Sequence, residues 1–268
     1  SPVLAQAGLV QTENADAADL TVMPNPGPDA ALSAQWVYAV ATPFPTVPDG
    51  IEFGALQSYW QTGDASRLPF SAPPKIVVTS DAATILITLL GAPYDSNALL
   101  IASPADAADI AWANQPALGV LAFESLEPRW KVLALDGRSV LDRGLDLSAY
   151  PLTIPVGVIA RTEAGRQAAE SLRSSRAWPT TNLDPAKIVN VVLTGTTAIA
   201  RATAMQVELK GIDFPAANIL PFFADADILH TSNESSYAVD CPEPDWFGEP
   251  TFCSQKDYFT LLQNIGLD

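Results

Sequence analysis

Cationic side chains are scarce in this chain. It carries 14 Lys and Arg against 30 Asp and Glu, a formal net charge of −16 at pH 7. Binding nucleic acid or an anionic membrane through charge needs clustered Lys and Arg, so both partners are excluded on that ground. An acidic surface of this kind favours solubility. No run of ~20 uninterrupted apolar residues occurs, the length a helix needs to cross a bilayer. Histidine is reduced to His230 alone, and cysteine to Cys241 and Cys253. The segment between the two cysteines is rich in Pro, Gly and acids. It cannot build a core of its own, which suits a disulfide-closed loop worth roughly 3 kcal/mol in the chain-entropy model. Metal binding is the rival reading, but two thiolates with one distant His make a poor zinc set. A disulfide implies an oxidising compartment, so the chain is expected to be exported: extracellular, at the cell surface or periplasmic. Ser1 to Ala7 ends in small residues with no basic or long apolar region before them. An export signal is therefore expected upstream.

What is present is apolar and patterned. Apolar residues fill 48% of 268 positions, enough for real cores, and the length suggests about two domains. Residues 1–31 show little periodicity, and Pro24-Asn25-Pro26-Gly27-Pro28 suits neither helix nor central strand, so an extended tail or tether is expected there. From residue 32 the pattern alternates. Strands are predicted over 36–41, 76–78, 98–102, 118–123, 130–135 and 150–159. Helices are predicted over 53–60, 82–90, 104–114 and 163–172, the second capped by Ser80 and Asp81. This alternation predicts an α/β unit with a mixed or parallel sheet over 32–173. Residues 174–185 are polar with two prolines and read as a linker, and a second unit runs over 186–268. Trp36, Trp60, Trp112 and Trp130 fall within predicted elements and read as core or interface, not as a stacking platform.

The second unit resembles the CapA-type poly-γ-glutamate capsule biosynthesis proteins, whose domain has the calcineurin-like metallophosphatase fold. The residues that carry the resemblance are Leu193-Thr194-Gly195-Thr196-Thr197-Ala198-Ile199-Ala200-Arg201, Gly211-Ile212-Asp213-Phe214-Pro215, Ala226-Asp227-Ile228-Leu229-His230 with Ser232-Asn233-Glu234-Ser235, and the closing Gly266-Leu267-Asp268. The resemblance implies the first part of a metallophosphatase-like α/β domain. The family's Gly-Asn-His motif would follow Asp268, so a divalent metal is expected only in a longer form of the protein. The family places a metal-binding Asp after the first Gly of this motif, and here Thr196 stands there, a far poorer ligand than a carboxylate. The first unit resembles the type II periplasmic substrate-binding fold. That likeness rests on residues 36–46, Leu56-Gln57-Ser58-Tyr59-Trp60, Leu121-Ala122-Phe123-Glu124-Ser125-Leu126 and the strand from Arg129 to Leu135.

Site candidates follow from these placements. Glu234 is the carboxylate most suited to metal binding or acid/base work, against the plainer reading of a surface or capping Glu. His230, four residues earlier at a strand end, is a ligand or base, or a hydrogen-bonded structural His. Asn233 completes the metal candidates, and Arg201 could hold a carboxylate or phosphate bidentately, or form a surface ion pair. In the first unit Thr42, Thr46, Thr79 and Ser80 sit at strand ends or helix starts, where backbone amides favour anions. Asp81 beside them argues against strong anion binding. Three functions follow. The first is an exported CapA-like protein of capsule or poly-γ-glutamate biosynthesis, inactive as this chain. The second is a non-catalytic structural or interaction subunit of a cell-surface assembly, with protein partners. The third is a solute-binding receptor that takes a small anion or an amino acid through the first unit.

Overall fold

The computed structural model describes residues 9–12, 14–245, 247–249 and 251–267. Ser1 to Ala7 and Asp268, both used in the sequence reading, lie outside the described residues. The chain divides into two compact units, Ser1–Ala186 and Lys187–Asp268.

Unit 1 is built on a seven-stranded mixed sheet. In chain order its strands and helices are β1 (Leu20–Pro24), β2 (Leu32–Pro43), β3 (Gly50–Ile51), α1 (Phe53–Thr62), β4 (Lys75–Val78), α2 (Ser80–Leu90), β5 (Leu99–Ile101), α3 (Ala107–Ala113), β6 (Ala117–Ala122), β7 (Trp130–Val132), β8 (Ala134–Leu135), β9 (Thr153–Ala160) and α4 (Glu163–Ser174). The sheet order is β1-β9-β2-β6-β4-β5, with β7 also on β2. β4 runs parallel to β5 and β6, while β2 is antiparallel to β6, β7 and β9. The mixed α/β class expected from the alternating pattern is the class observed.

The central strands explain the sheet. β6, Ala-Leu-Gly-Val-Leu-Ala, is buried at every position, as a strand covered on both faces should be. β2 is twelve residues long and serves two partners. Leu32 to Val37 pair with β9, and Tyr38 to Ala41 pair with β6. The helices bury residues at helical spacing: Ala55, Leu56, Tyr59 and Trp60 on α1, and Ala82, Ile85, Leu86 and Leu90 on α2. Of the four tryptophans read as core or interface, Trp60 and Trp130 are buried and Trp112 is 49% exposed.

Two stretches differ from their sequence reading. Residues 20–24, placed in a tail, form β1 against β9. The chain just before β1 seats against α4 so closely that a Cβ at Gly165 would collide with the Asp19 carbonyl oxygen. Residues 174–185, read as a linker, belong to unit 1. Gln35 N–H donates to the Thr180 carbonyl, and the Asn182 side chain bonds both the N–H and the carbonyl of Val37, at 2.7 and 3.0 Å. Polar, Pro-containing composition signals irregular backbone, but irregular backbone can still be pinned by an amide side chain that imitates a strand partner.

Unit 2 comprises β10 (Val191–Thr197), α5 (Arg201–Lys210), β11 (Ile228–Asn233), β12 (Ser236–Ala238), β13 (Cys253–Gln255) and α6 (Phe259–Asn264). β10 pairs in parallel with β11, and β12 in parallel with β13. Its core is small: Ile199, Ala204, Val207, Ala216, Tyr258, Leu261 and Leu262. A disulfide joins Cys241 to Cys253, with Cα atoms 5.8 Å apart.

Candidate solute site

Strand direction decides which residues of unit 1 can share a site. β4, β5 and β6 are parallel, and β9 runs with them because both β6 and β9 oppose β2. Their carboxyl ends form one edge, the usual place for ligands in such sheets. Thr79 and Ser80 follow β4 and lie on this edge. β2 runs the other way: Tyr38 faces Ala122 at the carboxyl end of β6, and Ala41 faces Gly119. Thr42 and Thr46, further along, therefore lie toward the opposite edge. The four residues proposed as ligand-binding divide into two pairs.

At the carboxyl edge α2 begins at Ser80, two residues before the predicted start, and Thr79 rather than Ser80 or Asp81 is its cap residue. The first helical bond runs from Ala83 N–H to the Thr79 carbonyl at 2.9 Å. The amides of Ser80, Asp81 and Ala82 precede it and point out of the helix mouth. Thr79 is 3% exposed, makes no capping bond, and its hydroxyl has no hydrogen-bond partner. A buried hydroxyl left without a partner costs about 1–3 kcal/mol, so this is an unusual place for one.

Three further polar residues gather at the same edge. The Tyr38 hydroxyl donates to Asp81 Oδ2 at 3.3 Å. Burial first, and then the charge of Asp81, pushes the Tyr38 hydroxyl well above the usual tyrosine range, which keeps it a donor. Glu124, just beyond β6, accepts from Trp36 Nε1 at 3.1 Å through one oxygen and from Asn182 Nδ2 through the other. Sequence reasoning noted Asp81 as a helix cap and as an argument against anions, and gave Tyr38 and Asn182 no role. An acid directly after an apolar strand run was the signal for Glu124. No signal marked Asn182, whose partners lie 58 and 145 positions away.

The opposite edge holds a cavity of about 970 Å³, lined among others by Asp49, Glu52, Arg67 and Asp136. It lies at the mouth of α1, and that mouth is filled: Phe53 N–H donates to Asp136 Oδ1 at 2.8 Å. Asp136 and Gly137 both have positive φ, 52° and 75°. Glu52 is paired with Arg67, and Asp49 with Lys131 at 2.7 Å. The Lys131 ammonium also donates to the carbonyls of Thr46 and Val47. Thr42 is buried with its hydroxyl unpartnered, in register with Lys131. Carboxylates outnumber cations around this cavity, and its helix mouth is already taken by one, so it is ill suited to an anion.

In unit 2 the structure brings Thr196 and Glu234 together. The Thr196 hydroxyl donates to Glu234 Oε1 at 3.0 Å, and Glu234 N–H donates to the Thr197 carbonyl at 3.0 Å. Asn233 stands opposite Thr197, but its side-chain amide donates to the Ser235 carbonyl at 2.7 Å. His230 lies three residues earlier, opposite Leu193, and is exposed. Arg201 has a φ of 50°, and its guanidinium sits over the Phe252 ring, 4.7 Å from the centroid. Among the described residues, no group of three or more His, Cys, Asp or Glu side chains could hold a metal ion.

No family model matches the chain, and no curated protein does. Solved structures do match. One is an ABC-type phosphate transport receptor from Vibrio cholerae, 12% identical over 65% of this chain and 78% of that one, with a TM-score of 0.46. Another is PstS from Borrelia burgdorferi, 10% identical over 62% of this chain and 71% of that one, with a TM-score of 0.39. These findings correct the CapA-type resemblance. Three descriptions among the matching structures name phosphate binding or phosphate transport, from Clostridium perfringens, Vibrio cholerae and Planctomyces limnophilus, and no capsule protein emerges from the family or curated comparisons. The metallophosphatase-like fold and the capsule role implied by that resemblance fall with it. Gly195, Thr196 and Thr197 belong to β10 and Asn233 ends β11, so the motif residues are part of a strand pair and not of a strand-to-helix turn. Among the described residues no helix is long and apolar enough to cross a membrane.

Proposed function

We propose that unit 1 is a solute-binding module that takes the anionic group of a small molecule at the carboxyl edge of β4 and β6. The observation that carries this reading is the mouth of α2. Three amides precede its first helical bond, and the cap residue Thr79 holds a buried hydroxyl with no partner. Helix mouths favour negative charge through their free amides and the helix dipole. A carboxylate or phosphate oxygen seated there would give the Thr79 hydroxyl the acceptor it lacks. The reading rests on this edge and not on the solved structures named above, whose TM-scores stay below 0.5. Export fits the same role, and the Cys241–Cys253 disulfide supports it, since such bonds persist in oxidising compartments.

Isothermal titration calorimetry with a panel of small carboxylates, inorganic phosphate and amino acids tests the proposal. At least one member should bind, and Thr79→Val should weaken it at least tenfold. Binding that survives Thr79→Val but is lost in Arg67→Ala would move the site to the opposite cavity and overturn it.

A further inference from the structure

The same edge carries negative charge of its own, and this narrows the class of solute. The inference rests on the reading of the α2 mouth as the anion seat. Asp81 is in the first turn of α2, one residue beyond Ser80, and is exposed. Its Oδ2 accepts from Tyr38, which fixes the carboxylate beside the mouth. Glu124 is held on both oxygens by Trp36 and Asn182, and Trp36 lies two residues before Tyr38 on β2. Both carboxylates act on the Tyr38 hydroxyl through their charge. The edge therefore places an anion seat and two carboxylates around one tyrosine. A dianion such as phosphate would meet the helix amides and two like charges together, and like charges in partly desolvated positions disfavour each other. A molecule with an anionic and a cationic end would find a partner for each.

We propose that the solute is a zwitterion of the α-amino-acid class, with its carboxylate at the mouth of α2 beside Thr79 and its ammonium facing Asp81 and Glu124. The free oxygen capacity of Asp81 is available to the ammonium, since Tyr38 occupies only one of its two oxygens. Glu124 contributes its charge and Tyr38 holds Asp81 in place. The edge of β4, β5 and β6 would thus read charge pattern before it reads side chain.

The test compares free L-amino acids with their N-acetyl derivatives, with acetate and with inorganic phosphate, by calorimetry on the full chain. Acetylation removes the ammonium charge and keeps the carboxylate. The expected result is an amino acid that binds at least tenfold tighter than its N-acetyl form, acetate or phosphate, with Asp81→Asn removing that preference. N-acetyl forms, acetate or phosphate binding as well as the amino acids would overturn the zwitterion and leave the anion seat standing. No binding by any member would overturn both. Because the comparison of free and acetylated ligands uses the unaltered protein, it decides the matter even if Asp81→Asn fails to fold.

Discussion

The two units of this chain hold their shape by different means. Unit 1 buries central strands on both faces, and Val37 to Ala41, Ile76 to Val78 and Leu118 to Leu121 are almost wholly removed from water. Among the described residues unit 2 has two two-stranded parallel sheets and a small core cluster around Ile199, Val207 and Leu261. On the outer side of its β10–β11 pair Val191, Leu193 and Ile228 are exposed, Leu193 at 72%. Parallel strands normally need cover on both faces, so burial cannot stabilise unit 2 as it does unit 1. The disulfide supplies part of the difference, tying β13 to the loop after β12 and restricting the unfolded chain. Where burial is thin, a covalent cross-link takes over.

That contrast can be broken in order of size. Leu121→Ala opens a cavity in the fully buried cluster around Ala41, Val77 and Trp130, and should cost about 2–5 kcal/mol in urea unfolding of unit 1. A loss below 1 kcal/mol would mean that the sheet is less tightly packed than it looks. Cys241→Ser combined with Cys253→Ser should cost roughly 3 kcal/mol in unit 2 and leave unit 1 unchanged. Equal destabilisation of both units would deny that the cross-link acts locally. Next comes Asp136→Ala, which removes the carboxylate from the mouth of α1 and should cost about 1 kcal/mol. Thr79→Val at the other helix mouth should be neutral or stabilising by up to about 1 kcal/mol, because it deletes an unpartnered buried hydroxyl. A clear loss there would show that the hydroxyl has a partner in the free protein. The smallest effect belongs to Glu234→Ala, an exposed carboxylate bonded to one threonine, at about 0.5 kcal/mol or less.

A proteolysis experiment sharpens the boundary. The backbone of 174–185 is bonded to β2 and should resist cleavage, and cutting should concentrate elsewhere. Preferential cleavage within that stretch would restore its reading as a free linker.

The strands and helices of unit 1 were legible because each leaves a local mark. Ile76-Val77-Val78 is a β-branched run, α1 ends at Gly63 in the left-handed region, and α2 repeats its apolar residues at helical spacing. The Cys241–Cys253 loop was legible from composition. The candidate site was only half legible. Thr42 and Thr79 look alike in sequence, each a threonine at the end of an apolar strand run. Only the antiparallel pairing of β2 with β6 puts them toward opposite edges. Tyr38 reaches Asp81, and Asn182 reaches both Val37 and Glu124, through contacts that cross between 43 and 145 positions of sequence. In unit 2 the motif residues suggested metal ligands in a longer form of the protein, and in this chain Thr196 is bonded to Glu234 while His230 stands opposite Leu193.

Sequence by itself determined the acidic charge, the α/β class, the alternation of the main strands and helices from β2 to α4 and the composition that suits a disulfide, because each depends on residues close together along the chain. Tertiary structure alone decided which helix mouth is filled by Asp136 and which stays open at Thr79. Strand direction, sheet order and the reach of a distant carboxylate set that outcome, and none of them is a property of any local stretch of residues.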